Sequence, residues 1–193
     1  MDEKDANDKL TGKRVTTSDY ASANYYYVNK SSLPKVYGGF NTSLSWKGFD
    51  LSAIFAYSIG GYIYNRDITM ILHNGSLEGR DWSTEILKRW TPENRYTDVP
   101  ALSTTSNNWN SASTRFLQNN SYMRLKNLTL SYDLPKQWIS KLALSSVQVF
   151  VQGDNLFTIH RNQGLDPEQG ITGITYYRYP AMRTISGGIN LSF

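Results

Sequence analysis

The chain is expected to be all-β: about five C-terminal strands of a large antiparallel transmembrane β-barrel, with long extracellular loops containing short helices. Three observations predict this. Apolar and polar residues alternate with period two over stretches of roughly the 9 to 11 residues that cross a bilayer as a tilted strand. Short and long connections between those stretches alternate, as periplasmic turns and external loops do in such barrels. The last stretch, Met182 to Phe193, alternates to its end and closes on an aromatic residue.

Composition agrees with this class and removes others. Hydrophobic residues make up 39% of the 193 and the mean hydropathy is -0.49. No stretch approaches the roughly 18 consecutive apolar residues of a spanning helix. A barrel strand escapes that test because it alternates lipid-facing and lumen-facing side chains. The 14 Tyr, 5 Trp and 7 Phe suit interfacial girdles or sugar-stacking surfaces. Without cysteine there is neither a disulfide framework nor a thiolate metal site. The net charge of +4 is scattered, with no run of Lys and Arg that would suggest a nucleic-acid partner. The opening MDEKDANDKL is acidic and polar, so a secretory signal is expected upstream of Met1 and the chain reads as a fragment.

Residues 1–35 are polar and aperiodic and read as a loop or disordered lead-in, from which the cluster Tyr25, Tyr26, Tyr27 stands out. Residues 36–193 read as the barrel segment. In the first strand Val36, Phe40, Leu44 and Trp46 share a face, with Tyr37, Asn41, Ser43 and Ser45 on the other. A tight link at Lys47-Gly48 leads to Phe49, Leu51, Ala53, Phe55, Tyr57 and Ile59, which alternate with Asp50, Ser52, Ala56 and Ser58.

After Gly60-Gly61 comes an excursion of about 60 residues, too long for a compact soluble domain and ordinary for an external loop. Two helices are expected in it, a short one within Tyr62 to Leu72 and a better one over Asp81 to Trp90, stopped by Pro92.

A third strand, Tyr122 to Tyr132, carries a phase conflict. Met123 and Leu125 have the opposite parity to Leu128 and Leu130, so either a bulge shifts the pattern or these two face a buried lumen. Lys136 to Leu142 suggests one or two helical turns. Val147, Val149 and Val151 then open a fourth strand opposite Gln148 and Gln152, and Gly153-Asp154-Asn155 reads as its exit into a second loop. The final strand sets Ile185, Ile189, Leu191 and Phe193 against Thr184, Ser186, Asn190 and Ser192. Five strands cannot close a barrel, whose smallest single-chain examples have about 8, so completion by further strands is expected.

Several segments in sequence order resemble the SusC/RagA family of TonB-dependent outer-membrane transporters: PKVYGGFN from Pro34, KGFDLS from Lys47, YSIGG from Tyr57, RWTPEN from Arg89, SYMRLKN from Ser121, QGDNLF from Gln152 and PAMRT from Pro180. The likeness runs from about Tyr20 to Phe193. It implies a bacterial outer-membrane protein whose barrel has about 22 strands around an N-terminal plug. It also implies a SusD-like lipoprotein lid and a cargo of oligosaccharides or peptides. The TonB complex would act only through the plug, which lies outside this chain. The terminal Ile189, Leu191 and Phe193 resemble the signal read by the outer-membrane assembly machinery.

Candidate chemistry is thin. His73 and His160 are far apart in sequence, and the carboxylate pairs Asp166 with Glu168 and Asp81 with Glu85 are read as loop-structuring rather than catalytic. No enzyme, metal or cofactor is expected. The candidates for ligand or lid contact are Trp109 in the first long loop and Tyr176, Tyr177 and Arg178 in the second, because aromatic rings and a guanidinium stack on sugars or dock partners. Trp82 and Trp90 fit loop packing, whereas Trp46, Tyr57, Tyr132 and Phe157, near strand ends, fit a girdle in contact with membrane lipid. The alternative to the barrel is a soluble carbohydrate-binding β-sandwich using the same aromatics.

Overall fold

In a computed structural model, five long strands form one antiparallel sheet. The residues described are 2–193 without 5, 6, 8, 18, 74–76, 78, 104–107, 141–143, 165, 169 and 176. They divide into two compact units, residues 1–30 with 65–117 and residues 31–64 with 118–193. Among the described residues no helix is long and apolar enough to cross a membrane.

The first unit begins with a ribbon of β1 (Asp2–Lys4) and β2 (Leu10–Arg14). This corrects the reading of residues 1–35 as wholly loop. Beside the ribbon, the Arg14 guanidinium lies 3.9 Å from the centre of the Tyr26 ring, and the Tyr26 hydroxyl donates to Asp2. These contacts join residues whose polar composition alone gave no periodic signal.

The second unit holds the sheet: β3 (Pro34–Trp46), β4 (Phe49–Gly60), β7 (Tyr122–Asp133), β8 (Ser146–His160) and β9 (Thr184–Ser192), in spatial order β3-β4-β7-β8-β9. Two short strands, β5 (Tyr62–Tyr64) and β6 (Leu117–Asn119), lie between β4 and β7 in the chain. The β3–β4 link is a two-residue turn with Lys47 at φ 48° and Gly48 at φ 86°. Of the two-residue hairpin turns that match strand twist, this is the one with positive φ at both central positions, and glycine adopts it without the Cβ penalty.

Register carries the sequence alternation across the whole sheet. Trp46 lies opposite Phe49, Leu44 opposite Leu51 and Phe40 opposite Phe55; Leu51 in turn meets Leu130, which meets Val151. Val149 pairs with Ile189 and Val147 with Leu191. The result is one continuous apolar face. The opposite face gathers Ser43, Asn41, Ser52, Thr129, Asn127, Gln152, Asn190 and Ser186 by the same pairings.

The phase conflict in β7 is resolved by a bulge. Leu125 pairs with Phe55 and Asn127 with Ile54, so Lys126 is the extra residue, and Met123 and Leu125 rejoin the apolar face. On the other side of β7, Leu125 pairs with Phe157 and Asn127 with Asp154, which leaves Asn155 and Leu156 as the matching irregularity. Asn155 sits at φ 51°, a conformation asparagine tolerates better than most residues. Gly153-Asp154-Asn155 is therefore a kink within β8 and not its end.

Connections follow the expected alternation of short and long. In the first unit α1 (Arg66–Ile71) is capped by the Asn65 side chain, which accepts from Ile68 N–H at 3.1 Å. The helix expected over Asp81 to Trp90 is a single 3-10 segment, Thr84–Lys88, capped by Ser83. Side chains end it early. The Asn94 amide and Thr97 hydroxyl donate to the Lys88 carbonyl at 2.9 and 2.6 Å, taking the place of further helical turns. Among the described residues of this unit, Phe116, Ile86, Val99 and Leu72 are the buried apolar ones. Between β7 and β8, α2 (Lys136–Ile139) is one turn.

Candidate functional site

The sheet has an unusual distribution of burial. Leu44, Trp46, Ile59, Ile185 and Ile189 on the apolar face are each more than half exposed. A soluble sandwich would cover that face with a second sheet. Among the described residues the remaining sheets are two-stranded ribbons, so the sandwich alternative lacks its second layer. In a bilayer the same face needs no cover, because lipid tails are its partner.

The polar face is lined mainly by neutral groups, with the carboxylates Asp50, Asp133 and Asp154 among them, and carries one buried ion cluster. Arg124, on β7, projects from this face with its side chain 4% exposed. Its Nε donates to Thr158 Oγ1 at 2.9 Å across the β7–β8 pair. Nη1 donates to Glu168 at 2.8 Å, and Nη2 donates to Asp166. The cation thereby grips both carboxylates of the loop that follows β8.

The loop side of the cluster is equally saturated. Asp166 accepts from the backbone N–H of Glu168 at 2.9 Å and of Ala181 at 2.6 Å, so the early and late parts of the loop meet at one carboxylate. Lys126, the bulge residue, donates to both oxygens of Glu168 at 2.7 and 2.6 Å. Asn120 donates to the Pro167 carbonyl at 2.9 Å. Burial works to raise the Asp166 pKa and is the largest single influence. The N–H of Ala181, the Arg124 guanidinium and the N–H of Glu168 together outweigh it and hold the carboxyl below its ordinary value. Such a group is suited to anchoring and not to donating a proton.

Beside this anchor is an open cleft of about 430 Å³ lined by Arg124, Thr158, His160, Asp166, Ala181 and Arg183, among others. A second, of about 340 Å³, includes Tyr37, Ser58, Asn120 and Tyr122 in its lining. Hydroxyl, amide and aromatic groups predominate in the second, the set that hydrogen-bonds and stacks neutral, oxygen- or amide-rich molecules.

No protein-family profile matches the chain. It is 33% identical over 166 residues to TonB-dependent receptor P3 of Formosa agariphila, a match covering 80% of this chain and 16% of that protein. TonB-dependent receptor SusC of Bacteroides thetaiotaomicron is 27% identical over 168 residues, 86% of this chain and 16% of SusC. Among solved structures, the RagAB peptide importer in its closed-closed state superimposes with a TM-score of 0.80 at 34% identity, over 99% of this chain and 20% of the other. The chain belongs to the SusC/RagA family of TonB-dependent transporters.

As a SusC/RagA-type chain it is an outer-membrane protein, and its sheet is a section of barrel wall. It spans roughly a sixth to a fifth of the length of these relatives, 16% of P3 and 20% of the RagAB chain.

The structure places the sequence candidates as follows. Trp109 lies on a single 3-10 turn, Asn108–Asn110, in the first unit; its side chain and the whole of Tyr176 lie outside the described residues. Tyr177, at φ 35°, and Arg178 are exposed in the second unit on the loop that Arg124 anchors. Ile189 and Leu191 lie on the apolar face of β9, and Phe193 follows it, 89% exposed. Trp82 packs as expected: its indole N–H donates to His73 Nδ1 at 3.0 Å with the rings edge to face. Arg124 was missed. Its signal was a cation two residues before Lys126 in a strand whose parity could be read only after the bulge was placed.

Proposed function

We propose that this chain forms the C-terminal wall, with two extracellular loops, of an importer that takes up neutral oligosaccharides under a SusD-like lipoprotein lid. The observation that carries the reading is the two-faced sheet, apolar and uncovered outside and lined with amides and hydroxyls inside. The amides and hydroxyls of this inner wall, which outnumber its carboxylates Asp50, Asp133 and Asp154, offer donors and acceptors that match glycan chemistry. A peptide backbone presents similar groups, and the likeness to the RagAB peptide importer favours peptides as the second reading. Under either reading, energy coupling to TonB belongs to the plug, and Ile189, Leu191 and Phe193 serve the assembly machinery. Trp109, Tyr176, Tyr177 and Arg178 act as loop contacts for cargo or lid.

The test is uptake by cells that depend on the whole transporter for one nutrient. Labelled neutral oligosaccharides should enter and labelled peptides should not; the reverse outcome selects the peptide reading. Tyr177→Ala with Arg178→Ala should lower uptake severalfold without lowering the amount of transporter in the membrane. Unchanged uptake would remove these two from the contact set.

A further inference from the structure

We propose that the short-link end of the sheet is a binding site for the head groups of anionic phospholipids in the periplasmic leaflet. The inference rests on the membrane-wall reading above and concerns the rim where β3 turns into β4 and where α2 joins β7 to β8.

Both links meet at one place. The N–H of Asp133 donates to the Gly48 carbonyl at 2.8 Å, and the N–H of Leu134 donates to the Val147 carbonyl at 2.9 Å. Lys47 therefore sits beside the start of the segment that leads through Pro135 to Lys136.

The helix lies on the lipid side. Val147 belongs to the apolar face, yet it is 8% exposed where its neighbours Val149 and Val151 are 44% and 48% exposed. The element packed on β8 at this end is α2, whose Ile139 is itself buried. Trp138, one position earlier on the turn, is 66% exposed. On the same rim Trp46 is 65% exposed, with the Lys47 ammonium 5.0 Å from its ring centre, and the Phe49 and Tyr132 rings touch at 4.4 Å. Indole rings beside lysines at the end of an apolar wall are placed where head groups begin.

Charge decides which lipid. Asp50 and Asp133, the carboxylates at this end, are held on the inner face by Ser45 and Gln148 respectively. Among the described residues no carboxylate pairs with Lys47 or Lys136. The outer rim is thus cationic while the inner rim is anionic. A zwitterionic head group brings its own cation to that surface; an anionic one brings only the phosphate that the two lysines attract.

The chain has no cysteine, so a Trp138→Cys variant of the whole transporter, with any thiols elsewhere replaced, can carry a single bimane label. In nanodiscs, brominated phosphatidylglycerol should quench it about threefold more strongly than brominated phosphatidylcholine at equal mole fraction, as expected for enrichment near paired lysines. Adding Lys47→Gln and Lys136→Gln should make the two lipids equal. Equal quenching with both lysines present, or a preference that survives their removal, overturns the proposal. A label at Leu130→Cys, on the apolar face two residues along β7 from Tyr132, separates the two levels of inference. If it is quenched while the label at 138 is not, the rim site alone fails; if neither is quenched, the membrane-wall reading fails with it.

Discussion

The two long connections of this chain are held in place by different physics. The segment from Ser83 to Val99 is organised by its own backbone and short polar side chains: Ser83 caps its turn, Asn94 and Thr97 take the Lys88 carbonyl, and the Trp90 N–H donates to the Val99 carbonyl at 2.8 Å. The loop after β8 is instead held by the wall, through a buried guanidinium between two carboxylates. Local caps are individually weak and mutually redundant. A buried ion cluster is strong and fails as a whole, because removing one member leaves the others desolvated and unpaired.

Breaking the cluster is the sharpest way to separate the two regimes. Arg124→Ala should weaken the docking of residues 161–181 by about 3 to 5 kcal/mol, the usual cost of orphaning a buried ion pair. Hydrogen exchange on the whole transporter should show that loop losing protection while residues 83–99 keep theirs. Retained protection in 161–181 would mean that the strands and not the cation fix the loop.

Acid should do the same more gradually. The Asp166 carboxyl is held below its ordinary value in the folded state, so its contribution is complete above the unfolded value of about 3.9 and is lost as pH falls through the folded value. Protection of 161–181 should therefore decline only below about pH 4. In Asp166→Asn this decline should vanish and the loop should be less protected at neutral pH. A decline that begins near neutrality in the parent protein would show that another group controls it.

The first loop should respond on a smaller scale. Asn94→Ala should cost about 0.5 to 2 kcal/mol locally, the range for losing a capping side chain. Exchange should quicken over 84–97 and be unchanged over 161–181; an effect on both would mean that the loops are coupled. Smallest of all is Lys126→Gln. Its side chain is a third exposed and that of its partner Glu168 is 38% exposed, so the loss should stay below about 1 kcal/mol. A larger loss would move Lys126 into the buried part of the cluster.

How far the sequence could be read follows the same division. Alternation in β3, β4 and β9 and in the lower parts of β7 and β8 is a local signal with a direct physical cause, and the pairing bears out each of those faces. The upper part of β8 was hidden because Gly153, Asp154 and Asn155 are turn formers, and here they build a kink that only the neighbouring strand explains. The 3-10 segment was overestimated because the groups that end it come from Asn94 and Thr97, beyond the helix itself. The anchor was invisible for a different reason: Arg124 and Asp166 are 42 residues apart, and no local pattern distinguishes a charge that will be buried from one that will be solvated. Asp166 and Glu168 were singled out as a pair, but what they bind came from across the sheet.

The bulge at Lys126 also bears on inheritance. Most codon substitutions in a two-faced strand change one side chain on one face, but loss of this single codon would re-index everything before it. Tyr122, Arg124 and their face would be turned toward lipid, and Met123 and Leu125 toward the pore. A cation on the lipid face near the loop end of a strand costs up to about 1 kcal/mol, less than at the midplane. Here it would also forfeit the loop. Insertions and deletions at this codon should thus be far rarer among working relatives than point changes, because the extra residue acts as a reading frame for the strand.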